Sequence, residues 1–154
     1  MRKKINWPRG KDSTKIRKFA ERYSDLIMSG TVLAIDPASK SAGYAVYKCG
    51  VLMDSGTLEC DGLISQRLND MFYMIAEKEI KPDILCIETI RHNAHLYLRW
   101  SCGMLVAAAD AEHVVEIPTN QWRVLAPEGY EKTDEGDAKL IGEVLITYAR
   151  EEKM

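Results

Sequence analysis

The sequence has no apolar run approaching the roughly 20 residues that a membrane span requires, and its basic start lacks the apolar stretch of a secretory signal. A soluble, cytoplasmic protein with no membrane partner is expected. Asp12, Glu21 and the Trp7-Pro8 break also argue against a transit peptide. The four cysteines, Cys49, Cys60, Cys86 and Cys102, include no CxxC pair and no histidine at ligand spacing, which supports neither a zinc site nor a redox motif. In a reducing compartment Cys86 and Cys102 suit small buried apolar positions. Internal repeats and low-complexity stretches are absent too.

A strong net charge is also missing, but the total of -2 conceals an asymmetry. The first 23 residues hold nine Lys/Arg against two acidic residues, a net of +7, and the remainder holds 12 basic against 21 acidic, a net of -9. A basic arm joined to an acidic body points to a polyanion partner. With 154 residues, 46% of them hydrophobic and 29% charged, the chain suits one globular core.

Periodicity divides the chain into a basic N-terminal arm and helix, residues 1–30, and a main domain, residues 31–154. Ser13 is placed to cap a helix carrying Ile16, Phe19, Ala20, Tyr23, Leu26 and Ile27 at helical spacing, with Gly30 as its stop. Thr31–Asp36 reads as a buried strand. Ala42–Lys48 and Val51–Glu59 read as a hairpin closed by Cys49-Gly50. An amphipathic helix follows between Gly62 and Lys81, then a buried strand, Asp83–Glu88. Residues 94–111 suit a packed helix, Val114–Ile117 a fifth strand, Asn120–Ala126 a short helix behind a Thr119 cap, and Asp134–Glu152 a final helix. A hairpin before the first crossover means an α/β fold with a five-stranded mixed sheet flanked by helices.

Two strands that each end in a carboxylate, Asp36 and Glu88, could bring those groups together at one sheet edge if the strands are adjacent and parallel. Asp134 and Asp137, three apart at a helix start, project from one face. Such a group repels itself unless a divalent cation or separate solvation intervenes, and hard oxygen donors favour Mg²⁺ or Mn²⁺. Each position also has a plainer reading. Asp36 before Pro37 suits a turn, Asp134 an N-cap, Asp137 the helix dipole, and Glu135 a solvated helix-start charge. Glu88 is the hardest to explain as a structural residue, since a Glu closing a buried strand is costly without a partner.

The segments VLAIDPASKSAGYAVYKCG, ILCIETIRHNAHLYLRWSCGMLVAAA, VVEIPTNQWRVLA and KTDEGDAKLIGEVL, taken in order over about residues 31–150, resemble the RuvC-type Holliday-junction resolvases of the ribonuclease H-like superfamily. Of that family the chain looks like a divergent, phage-type member, which would act in the host cytoplasm. The basic helix before the first strand lies outside the resemblance, and the loop after Glu88 matches only loosely. In the second segment Gly103 is expected to be a close-packing glycine. The resemblance implies a ribonuclease H-like fold with Asp36, Glu88, Asp134 and Asp137 as catalytic, metal-binding carboxylates. It further implies two Mg²⁺ ions per site, replaceable by Mn²⁺, and a homodimer making paired cuts in branched DNA such as four-way junctions.

Lys40, Arg91, His92, Arg99, Arg123 and Lys132 are the candidate phosphate contacts of the body, beside the arm. Tyr97 or Trp100 could stack on an opened base pair, although Trp100 in an apolar helix also suits core or dimer packing along Trp100–Ala109. His95 could touch phosphate, and His113 beside a strand reads as structural. Two other functions fit the same pattern: a ribonuclease H-like nuclease of RNA or RNA–DNA hybrids, and a noncatalytic junction-binding protein. An actin-like nucleotide-binding half-domain would need a second lobe for which 154 residues leave no room.

Overall fold

The computed structural model describes residues 5–154. Arg2, Lys3 and Lys4 of the basic arm lie outside the described residues. The elements follow the expected order: α1 (Lys11–Ser29), β1 (Thr31–Asp36), β2 (Ser41–Lys48), β3 (Val51–Glu59), α2 (Ile64–Glu77), β4 (Ile84–Glu88), α3 (Leu96–Ala109), β5 (His113–Ile117), α4 (Thr119–Arg123) and α5 (Asp134–Glu152). They form one mixed sheet of order β3-β2-β1-β4-β5, with β1, β4 and β5 parallel and β2 antiparallel to both neighbours.

Alternation along the central strands sorts the core into two layers. Val32, Ala34, Ile84 and Cys86 pack towards α1, α4 and α5, whereas Leu33, Ile35, Leu85 and Ile87 pack towards α2 and α3. Because Ile35 is level with Ile87, the next residues, Asp36 and Glu88, come out side by side and by parity face the α5 layer. Helix α5 is buried along most of its length, lying between the sheet and α1.

Several boundaries differ from expectation for identifiable reasons. Helix α1 begins at Lys11 with Gly10 as its N-cap; Ser13 is inside the helix and buried, and its hydroxyl donates to the Pro8 carbonyl. Strand β4 starts at Ile84 rather than Asp83, whose carboxylate accepts the Thr31 amide at 2.8 Å and so ties the strand's entry to the start of β1. Pro118, not Thr119, caps α4. The β2–β3 turn is as expected: Cys49 and Gly50 both have positive φ, 52° and 74°, as a tight hairpin requires. Gly103 is exposed, and a Cβ there would meet nothing within 4 Å, so it is not a close-packing glycine.

The close approach of helix to sheet occurs instead at Gly142 of α5. A Cβ there would fall 2.4 Å from Tyr47 Cε2 and 3.1 Å from the Ala34 Cβ. The Tyr47 ring is buried and its hydroxyl donates to the Lys139 carbonyl at 2.8 Å, which leaves it little room to retreat. Gly142→Ala is therefore expected to lower stability by about 1–3 kcal/mol through overpacking, read as a fall in the urea midpoint at unchanged m-value.

Candidate active site

Asp36 ends β1 and is 8% exposed, and Glu88 ends the neighbouring parallel strand. Helix α5 delivers Asp134 and Asp137 to the same place from above, with Asp137 1% exposed. Asp134 is not the N-cap; Thr133 is, its Oγ1 accepting the Gly136 amide at 2.9 Å. Gly43, level with Asp36 on β2, admits the first turn of α5, since a Cβ there would lie 1.8 Å from the Asp134 carbonyl oxygen. The sheet edge and the helix start are thus in direct contact, and all four carboxylates share one region.

Their electrostatics register that convergence. The Asp36 carboxyl is pushed up to about 9, first by burial, then by hydrogen bonding with and repulsion from Glu88, and further by Asp137 and Asp134. The other three carboxylates each accept a hydroxyl hydrogen bond. Thr119 Oγ1 donates to Glu88 at 2.6 Å, Ser41 Oγ to Asp134 at 2.7 Å, and the Tyr130 hydroxyl to Asp137 at 2.7 Å. Burial and the Asp137 charge push Tyr130 up to about 12, so that it remains a donor at neutral pH. None of these three hydroxyl partners is marked by a local motif. Their positions opposite the carboxylates follow from strand register and from the α4–α5 connection.

Among the described residues no three carboxylate, histidine or cysteine side chains are drawn together closely enough to clasp an ion. The donor set still suits a hard divalent cation. It consists of carboxylates without sulfur or imidazole, and Asp36 resists ionisation in their company, an effect that a bound cation would relieve. In the absence of such a cation the raised Asp36 value makes stability depend on pH. The folded form holds a proton that the unfolded chain releases near pH 4, so the contribution of Asp36 to stability is fully present below that value and is lost as pH rises towards 9. In chelator, the unfolding free energy is expected to fall between pH 5 and 8 with a slope of up to about 1.4 kcal/mol per unit, measured by urea titration.

The basic candidates divide into two groups. Arg91 and Arg123 line a cleft of about 620 Å³ together with Glu88, Asn93, Thr119 and Asn120. Arg123 also lines a second cleft, of about 440 Å³, with Tyr130, Lys132 and Asp137, and Lys132 Nζ stands 3.7 Å from the Asp137 carboxylate. Lys40, His92 and Arg99 are exposed but line neither cleft, and Lys40 is 3.9 Å from Asp61. His95 has a structural task, its Nδ1 accepting the Tyr97 amide at the start of α3. Trp100 is 49% exposed beside Tyr97, so it is not core. Glu135 is tied down more than a solvated charge, accepting from Ser55 Oγ at 2.7 Å and pairing with Lys139 at 3.5 Å. His113 packs against Tyr23 with ring centroids 4.3 Å apart, in keeping with a structural role.

A central strand ending in Asp, an antiparallel hairpin on one side of it and two parallel strands on the other define the ribonuclease H-like fold. The chain is similar in structure to RuvC of Thermus thermophilus, solved alone (TM-score 0.59, 17% identity) and in complex with a Holliday junction substrate (TM-score 0.61, 15% identity). Each match covers 79% of this chain and 96% of that one. At this identity the likeness is one of fold. No family model matches the chain, and no curated protein does.

Proposed function

We propose that the protein is a metal-dependent, structure-selective endonuclease that resolves Holliday junctions and other branched DNA. The observation that carries this reading is the meeting of Asp36, Glu88, Asp134 and Asp137, from two adjacent parallel strands and one helix, beside a cleft lined by Arg91 and Arg123. The four carboxylates would hold two divalent ions, Mg²⁺ or in its place Mn²⁺, which when bound supply Lewis-acid stabilisation of the phosphate and a lowered water pKa.

The chain's own residues position and bind. Thr119, Ser41 and Tyr130 fix the orientation of Glu88, Asp134 and Asp137 through the hydroxyl bonds described above. Arg91 and Arg123 offer planar, permanently charged donors to backbone phosphates on the Glu88 side, and Lys132 offers a point charge on the Asp137 side. Hydrolysis joins water oxygen to phosphorus and releases the 3′ oxygen, leaving 5′-phosphate and 3′-hydroxyl ends. Symmetric cuts in a four-way junction need two sites related by a two-fold axis, hence a homodimer. The exposed Leu96, Tyr97 and Trp100 of α3 are the apolar surface offered to a second copy.

The experiment is a substrate panel: labelled four-way junction, duplex, single strand and RNA–DNA hybrid, each incubated in Mg²⁺ and in Mn²⁺. Preference for the junction supports the proposal. Preference for the hybrid transfers the same centre to RNA chemistry, and tight junction binding without cleavage in either metal leaves a noncatalytic binding protein.

A further inference from the structure

Helix α1 carries a row of charge that the carboxylate centre does not use. Lys11, Lys15, Lys18 and Arg22 follow one another at steps of four, three and four, which places them on one side of the helix within about 60°. All four are exposed, and none has an acidic partner among the described residues. Asp12 and Glu21 lie off the row, and Asp25 is engaged by Lys153. Like charges at these spacings weaken a helix by about 0.2–0.5 kcal/mol per pair, and a polyanion laid along the row would reverse that effect.

The row is held in a fixed place. Opposite it, Ile16, Ala20 and Ile27 are buried in the core shared with α5. Gln121 of α4 donates to Ser13 Oγ at 2.7 Å, and the Trp7 ring stacks on Tyr148 at 4.2 Å. Two residues before Gln121, Thr119 holds Glu88. The helix that carries the row is therefore joined, through the one short helix α4, to the Glu88 side of the carboxylates. The row then runs towards Gly30, which enters β1 at the end opposite Asp36. Its length is about 16 Å at 1.5 Å per residue. One strand of B-DNA carries about five phosphates over that distance.

We infer that the Lys11–Arg22 face of α1 is a second DNA-backbone surface, separate from the cleft, that takes the phosphates of one duplex arm as it leaves the catalytic centre. This rests on the reading of the protein as a nuclease of branched DNA. DNA fits the row better than a membrane does, because the apolar residues of α1 pack against the core and none is exposed beside the cations as an interfacial helix requires. The row would also offset the repulsion between DNA and the residues after Tyr23, of net charge -9.

The test compares wild type, Lys11→Ala/Lys15→Ala/Lys18→Ala, and a control of equal charge loss elsewhere, Lys48→Ala/Lys78→Ala/Lys81→Ala. Binding to a four-way junction and to plain duplex is measured in chelator across a salt series, with thermal melts to show that all three fold. The row variant is expected to lower the slope of log K against log[salt] by about 2–3, at roughly 0.9 per lost phosphate contact, and the control by less than about 1. Equal slopes for the two variants would overturn the inference. So would binding to phosphatidylserine vesicles that only the row variant loses while the DNA slope stays unchanged. Normal junction cleavage with an unchanged slope sinks the α1 surface alone; a changed slope without any junction cleavage sinks the nuclease reading and leaves the surface standing.

Discussion

Asp36→Asn is expected to abolish junction cleavage, by on the order of 10³-fold or more, while making the metal-free protein more stable. The two effects have one origin. Asp36 is nearly buried, next to Glu88 and near Asp134 and Asp137, and its carboxyl is pushed up to about 9. An amide of the same shape carries no charge to be opposed, so at pH 8 in chelator the variant should gain at least about 1 kcal/mol and lose most of the stability slope between pH 5 and 8. On the proposed mechanism, removing the central carboxylate would also remove several kcal/mol of transition-state stabilisation that a cation held there would supply, hence the expected loss of rate. A residue that merely held the fold would lose stability along with activity. Opposite signs in the two measurements, cleavage rate and urea midpoint, are what distinguish a site residue here, and binding to uncut junction should persist.

The second large effect is expected at a residue with no functional group. Gly43→Ala places a Cβ 1.8 Å from the Asp134 carbonyl oxygen, 2.2 Å from its carbon and 2.9 Å from the Glu135 nitrogen. These are backbone atoms of the first turn of α5, so no side-chain rotation can make room. Either that turn lifts from β2 or β2 bends away from it. Both movements separate Asp134 and Asp137 from Asp36, whose register partner is Gly43 itself. A displacement of about 1 Å in such a site costs roughly 10²-fold in rate, and the forced repacking costs about 1–3 kcal/mol in stability. Single-turnover cleavage should show the loss in the chemical step with junction affinity little changed. Gly103→Ala is the matched control for the steric argument: its Cβ enters open space on α3, and the urea midpoint should be little changed.

The contrast between Gly43 and Gly103 illustrates what was legible in the sequence. Asp36 and Glu88 could be picked out because each closes a short apolar run, and a buried run that ends in a carboxylate is costly unless the carboxylate has a task. The parallel pairing that makes them neighbours, β1 beside β4, was an assumption from the sequence and is a fact of the fold. Asp134 and Asp137 were legible as a pair through helical spacing alone. Ser41, Thr119 and Tyr130 were not, because a hydroxyl opposite a carboxylate depends on residues 93, 31 and 7 positions away, and no local pattern encodes the two larger separations. Thr119 differs from the expected helix cap for a related reason: a threonine hydroxyl can accept a helix-start amide or donate to a carboxylate, and only the packed structure shows that it donates to Glu88. The start of α1 was misread likewise, since Ser13 has the chemistry of a cap but the burial of a core residue.

Sequence proximity alone does not sort the basic candidates. Arg91 and Arg123 share a cleft with Glu88 and Thr119, whereas Lys40 and His92, each four residues from a site carboxylate, line neither that cleft nor the one beside Asp137. The +7 arm and the -9 body are not two loosely joined parts. Helix α1 shares a core with α5 and is bonded to α4, so its charge is carried at a fixed distance from the carboxylates.

The measurement that bears most directly on the catalytic account is strand-resolved mapping of cuts on a symmetric four-way junction, with wild type and Asp36→Asn, in chelator, Mg²⁺ and Mn²⁺. The account predicts paired nicks at symmetry-related positions with 5′-phosphate ends, present only with wild type and only with a divalent cation. Cleavage that persists in chelator, or that survives Asp36→Asn, would contradict it.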